Sequence, residues 1–97
     1  MKYICFWEFK PEDFDKIIEK YKQAMEDREK FPDKFPKILF GPYSSGGEWK
    51  GFTVYDATPE QMTNLALHYM PEEKLKFVPI FDSKKVSVLY LEMKKSL

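Results

Sequence analysis

The sequence predicts one α+β domain in which strands and helices follow as β-α-β-β-α-β, with a third helix trailing. Three observations carry this. Two segments repeat apolar residues at helical spacing, four segments read as strands, and prolines inside strand segments fall only in the second and the fourth. In the split β-α-β order, with an antiparallel sheet arranged 4-1-3-2, those two strands are the edges, where a missing N–H is tolerated. The expected architecture is therefore ferredoxin-like.

Residues 2–9, KYICFWEF, read as a strand that is apolar on both faces, with Tyr3, Cys5, Trp7 and Phe9 pointing one way and Ile4 and Phe6 the other. Pro11, Glu12 and Asp13 open a helix that runs to Lys30, its stripe formed by Phe14, Ile17, Ile18, Tyr21 and Met25. Phe31 to Pro36 is a proline-containing connector. Lys37 to Tyr43 is a second strand carrying Ile38, Leu39 and Phe40, and SSGG (Ser44–Gly47) turns it back as a hairpin with Trp49 at the tip. Gly51 to Tyr55 alternates around Phe52 and Val54 as a third strand.

The clearest boundary follows. Thr58 is an N-cap, Pro59 fits the first helical position, Glu60 suits the positive helix end, and Gln61 completes a capping box. Met62, Leu65, Ala66 and Tyr69 make the buried stripe of this helix, His68 lies beside it, and Pro71 stops it around Met70. Leu75 to Asp82, LKFVPIFD, is the fourth strand. In residues 84–97, Val86, Val88 and Tyr90 alternate as in a strand, while Val86, Leu89, Tyr90, Met93 and Leu97 fit a helix. The helix is preferred, because Asp82 or Ser83 can cap it and Lys94 and Lys95 suit its C-terminal end.

Ninety-seven residues make a single domain, 1–97. With 16 basic and 16 acidic side chains the formal charge is zero, which gives no global attraction to nucleic acid or anionic membrane. Nor is there an Arg/Lys-rich aromatic strand motif of the RNA-recognition kind, and Arg28 is the only arginine. The single cysteine, Cys5, excludes an intramolecular disulfide, and no zinc-type spacing of Cys and His exists, so no metal is expected. No apolar run approaches the ~20 residues of a membrane span, and no signal-peptide pattern is seen, so a cytoplasmic protein is expected. The charged residues are mostly Lys and Glu, with few Asn and Gln, a balance found in hyperthermophile proteins.

Two helices cover one face of a sheet, yet the first strand is apolar on both. The second face needs cover, and self-association through the sheet into a homodimer supplies it. KYICFWEF, PEDFDKIIEKYK, PKILFGPY, KGFTVYDA, NLALHYMPE and KFVPIFD together resemble an uncharacterised family of small, mostly prokaryotic domains in the dimeric α/β-barrel superfamily. The resemblance spans nearly the whole chain. It implies the ferredoxin-like fold and a homodimer. Because the superfamily includes cofactor-free monooxygenases, muconolactone-isomerase-like enzymes, stress-responsive proteins and haem-dependent members, it implies no single reaction.

Among candidate site residues, His68 is the one side chain with an ordinary pKa near neutrality and so the candidate acid/base catalyst; the alternative is a packed, hydrogen-bonded histidine. Glu8 interrupts an apolar strand and could serve as a base if it faced inward, or lie in solvent at the strand end. Trp7, Tyr43, Trp49 and Tyr55 could line a ligand pocket between sheet and helices. Asp56 reads as a turn residue and Cys5 as a buried, inert thiol. SSGG opens no helix and is no phosphate cradle. With no complete catalytic constellation, a homodimeric small-ligand-binding or interaction protein is the first reading. The second is a cofactor-independent isomerase or monooxygenase-like enzyme acting on a small organic substrate, with His68 as acid/base and Tyr43 and Tyr55 orienting the substrate. A haem protein with His68 as axial ligand is a third, and no cofactor is expected in the first two.

Overall fold

The computed structural model describes residues 1–96. Its elements are β1 (Lys2–Phe9), a 3₁₀ turn (Pro11–Asp13), α1 (Phe14–Lys30), β2 (Lys37–Ser44), β3 (Lys50–Asp56), α2 (Pro59–Tyr69), β4 (Glu73–Pro79) and α3 (Ser83–Ser96). The strands form one antiparallel sheet in the order β2-β3-β1-β4, or 4-1-3-2 written from the β4 edge. Pro42 and Pro79 lie on the two edge strands. Pro42 is accommodated where the β2–β3 register shifts between Phe40 and Tyr43, next to Gly41, whose φ of 94° favours glycine.

β4 starts and ends earlier than its sequence pattern suggests, at Glu73–Pro79 instead of Leu75–Asp82. The cause is β1. Its ladder with β4 runs from Phe9 opposite Glu73 to Tyr3 opposite Pro79, with one last bond from Ile80 N–H to the Lys2 carbonyl (3.0 Å), and beyond that β1 offers no further partner.

α1 and α2 lie on the sheet face that carries Tyr3, Cys5, Trp7 and Phe9. The core there is Cys5, Ala24, Tyr55, Ala57, Leu65 and Tyr69, with Tyr3, Phe35, Ile38, Met62, Leu75 and Phe77 packed around it. α1 is rolled relative to the expected stripe. Its buried residues are Ile17 and Ala24, while Phe14, Ile18, Tyr21 and Met25 stay 37–41% exposed. α2 begins with both capping-box bonds, Gln61 N–H to Thr58 Oγ1 (3.2 Å) and Thr58 N–H to Gln61 Oε1 (3.0 Å). Side chains then fasten the 31–36 connector. Gln61 donates to the Asp33 carbonyl, Asn64 to the Lys34 carbonyl and Arg28 Nε to the Pro36 carbonyl, at 2.8–3.0 Å.

The opposite sheet face has no helix over it. Strand register sets two apolar rows across it, Phe40–Val54–Ile4–Val78 and Tyr43–Phe52–Phe6, ended by Lys50–Glu8–Lys74. Phe40, Tyr43 and Phe52 cluster there with ring centroids 4.8–6.2 Å apart.

α3 forms as a helix, with Asp82 Oδ1 accepting from Lys84 N–H at 2.8 Å. Every residue from Phe81 to Ser96 is nevertheless exposed, and the molecule is 55 Å along its longest axis. The expected helical position Leu97 lies outside the described residues.

Removing the Thr58 hydroxyl leaves a helix-end N–H without its partner. Thr58→Ala is expected to lower the unfolding free energy by about 1 kcal/mol, measured by chemical denaturation.

Candidate functional site

A row of small residues creates the space for a site. In the register, Trp7 lies between Gly51 on β3 and Leu75 on β4, and Cys5 lies opposite Thr53. A Cβ at position 51 would collide with the Tyr43 carbonyl and the Trp7 indole, so only glycine lets the indole lie against the strand. The Trp7 Nε1–H then donates to Thr53 Oγ1 at 3.2 Å, which fixes the ring. Between this end of the sheet and α1 and α2 is a cavity of about 310 Å³.

The cavity's walls are apolar and aromatic, including Trp7, Phe9, Ile17, Leu65 and Leu75. Its rim is a chain of rings: Trp7 stacks on Phe9 (6.1 Å), Phe9 on Phe14 (6.0 Å), and Trp49 meets Phe14 edge-on (5.3 Å). Polar side chains among the lining residues include the hydroxyls of Thr53, Tyr55, Tyr69, Tyr21 and Ser44 and the charged groups of Arg28 and Glu73. Few polar groups in a concave apolar site is the usual composition of a small-molecule pocket.

Glu73 is the chemically unusual member. It is only 7% exposed, and among the described residues its carboxylate has neither hydrogen-bond donor nor ion-pair partner. Burial pushes its pKa up to about 7, against the opposing charge of Lys20. Its neighbour Glu72 goes the other way. The Lys20 ammonium donates to both Glu72 and the Met70 carbonyl, and that hydrogen bond holds the Glu72 carboxyl below its ordinary value. Two adjacent carboxyls thus separate into a paired acid and a free one.

The phenols keep their protons. Burial, with Cys5 close by, pushes Tyr55 up to about 12, and burial followed by Tyr55 pushes Tyr69 up as well. Both feel Glu73, which raises them, and Arg28, which lowers them, so the two hydroxyls lie in the fields of both charged groups. Arg28 has Nε fixed on the Pro36 carbonyl and Nη1 3.3 Å from Met25 Sδ. The arrangement presents hydroxyl donors, one guanidinium and one carboxyl able to take up a proton near neutral pH. Cys5 is in the core at 1% exposure, and burial lifts its thiol to about 12, which removes it as a nucleophile at neutral pH.

The structure distributes the sequence candidates unevenly. Trp7 and Tyr55 line the cavity. Trp49 is half-exposed and reaches only the rim, through Phe9 and Phe14. Tyr43 and Glu8 are on the open sheet face, because their register positions alternate with those of Trp7 and Thr53; Glu8 lies between Lys50 and Lys74 at its solvent edge. His68 lies outside the cavity lining. Its Nε2–H donates to the Lys20 carbonyl at 2.7 Å, and its ring meets Phe35 and Tyr69 edge-on, which joins α2 to α1. Glu73 and Arg28, with Thr53 and Tyr69, are cavity residues that sequence reading did not select as a site. The two charged ones each had a signal, since Arg28 continues the buried spacing Ile17, Ala24 by four, and Glu73 shares the alternation of Leu75 and Phe77.

Among the described residues no group of three or more His, Cys, Asp or Glu could hold a metal ion, and no helix is long and apolar enough to cross a membrane.

Two outcomes are expected. Glu73 binds its proton more tightly folded than unfolded, so its contribution to stability falls as pH rises from about 4.5 to about 7, by on the order of 3 kcal/mol. The groups facing it are Lys20 from α1, Cys5 from β1, Tyr55 from β3 and Tyr69 from α2. Glu73→Gln should therefore melt higher than the parent at pH 8 and equally at pH 4, by scanning calorimetry. His68→Ala should lose roughly 1–2 kcal/mol of unfolding free energy through its lost bond and packing, measured by chemical denaturation. Searches against protein-family models, curated proteins and solved structures found no match to this chain.

Proposed function

We propose that the protein is a cytoplasmic homodimer of the ferredoxin-like, dimeric α/β-barrel kind that binds a small organic ligand between its sheet and its helices. The cavity of about 310 Å³ carries this reading: aromatic walls, a fixed Trp7 indole and a few inward polar groups suit a flat molecule of modest size. Titration with small aromatic compounds should shift the NMR resonance of the Trp7 indole N–H, which is bonded to Thr53 inside the cavity. Shifts confined to the open sheet face would overturn the ligand site.

The homodimer is supported by the uncovered apolar rows Phe40–Val54–Ile4–Val78 and Tyr43–Phe52–Phe6, which make a patch that a second copy can cover with the same patch. α3 adds to this. Val86, Leu89, Tyr90 and Met93 form one apolar stripe and Val88 and Leu91 lie on the other side, each more than half exposed. Native mass spectrometry at micromolar concentration should give a dimer, and Phe6→Lys should convert it to monomer. A wild-type monomer at that concentration would sink the dimer.

The alternative, a cofactor-independent isomerase or monooxygenase-like enzyme, is favoured by one observation, the unpaired carboxyl of Glu73 within the cavity. His68, tied into the α1–α2 contact, is not the group that supports it.

A further inference from the structure

We infer that Glu73 is a catalytic base that moves a proton from carbon, and that the cavity takes a planar, enolisable carboxylic acid such as an aryl-substituted 2-oxo acid. The inference rests on the reading of the cavity as a ligand site and assigns roles within it. Four observations support it.

First, a carboxyl at 7% exposure without a hydrogen-bond donor costs stability, yet Lys20, which could neutralise it, is engaged by Glu72 and the Met70 carbonyl. Its carboxyl lines the cavity without a protein hydrogen-bond donor. Second, Arg28, the chain's one guanidinium, also lines the cavity. Its influence reaches Tyr55 and Tyr69, and so does that of Glu73, whereas the positive charge that Glu73 itself feels is Lys20. Arg28, Glu73 and the two phenols therefore share one cavity, with both charged groups near enough for each phenol to feel them. Third, the phenols are held protonated and can donate to an oxygen on which negative charge develops. Fourth, the aromatic walls and rim suit a flat, conjugated substituent.

The step balances without an oxidant or cofactor. The substrate carboxylate pairs with Arg28 and its carbonyl oxygen accepts from Tyr55 or Tyr69. A C–H bond next to the carbonyl breaks, its electron pair enters the carbonyl to form an enolate, and the proton bonds to the Glu73 carboxylate. Return of that proton to oxygen gives the enol, and return to carbon restores the ketone. The net reaction is tautomerisation. A carboxyl titrating near neutrality is suited to both directions.

The test uses phenylpyruvate as substrate probe and 3-phenylpropionate, which has no ketone to enolise, as binding probe. In D₂O near pH 7, wild-type protein should speed loss of the phenylpyruvate C3 proton signal over buffer, by roughly 10² or more as expected for a positioned base. Glu73→Gln, shown folded by its melting curve, should return the rate to near buffer, and Glu8→Gln on the opposite sheet face should leave it unchanged. Arg28→Lys should raise the Kd of 3-phenylpropionate roughly tenfold, because a bidentate partner is lost. Binding of 3-phenylpropionate without accelerated exchange overturns the base and leaves the ligand site standing, as does exchange that survives Glu73→Gln. If neither acid shifts the Trp7 indole N–H, the proposed substrate class and this inference are overturned. The ligand site itself falls only if uncharged aromatics such as indole fail as well.

Discussion

Everything in this molecule depends on the pairing of β1. It is hydrogen-bonded on both sides, to β3 from Lys2 to Glu8 and to β4 from Tyr3 to Phe9, so its side chains cannot slip by one without exchanging both faces of the sheet. The register that places Cys5 in the core also places Trp7 over Gly51 and sends Ile4 and Phe6 to the open face. It even fixes the start of β4, since Phe9 is the last β1 residue with a partner and that partner is Glu73. The cavity, its carboxyl and the uncovered patch are thus three consequences of one ladder.

Lys20 is the second organising group. From the middle of α1 its ammonium reaches the Met70 carbonyl and Glu72 at the end of α2, while its own backbone carbonyl accepts from His68. One residue therefore joins α1 to the α2–β4 connection through both main chain and side chain. The same geometry commits its charge to Glu72, so Glu73, one residue on and facing inward, is left to the low dielectric of the cavity. Helix docking and the unusual protonation behaviour of the site come from the same contact.

How much of this could be read from residues follows from which physics is local. The capping box at Thr58 and Gln61 and the stop at Pro71 act within a turn of helix, and the helix forms where they indicate. Alternation in KYICFWEF gave both faces of β1, and edge prolines gave the placement of β2 and β4, because N–H requirements are local too. The site was less legible. Tyr43 and Tyr55 look equivalent in sequence, but the bulge at Gly41 and the β3 register put them on opposite faces. Glu73 shares the inward alternation of β4, but that Glu72 rather than Glu73 takes the Lys20 ammonium depends on a contact 52 residues away in the chain. His68 stood out as the single histidine, yet rarity in composition says nothing about which group a tertiary contact will occupy.

The cavity lies where packing could have been better. Gly51 contributes no side chain, Thr53 is small, and Glu73 puts an unpaired carboxyl where an apolar residue would fit, so the cavity gives up stability beside the packed core around Cys5, Ala24 and Ala57. The sacrifice is asymmetric. Larger apolar residues at 53 and 73 would close the space and remove the unpaired charge, and Gly51 is held by the indole above it. A fold under selection for stability alone has no use for this combination of a fixed indole, two protonated phenols, a guanidinium and a free acid around an unfilled volume. The proposed ligand site would account for that combination, whose strand residues are all set by one register.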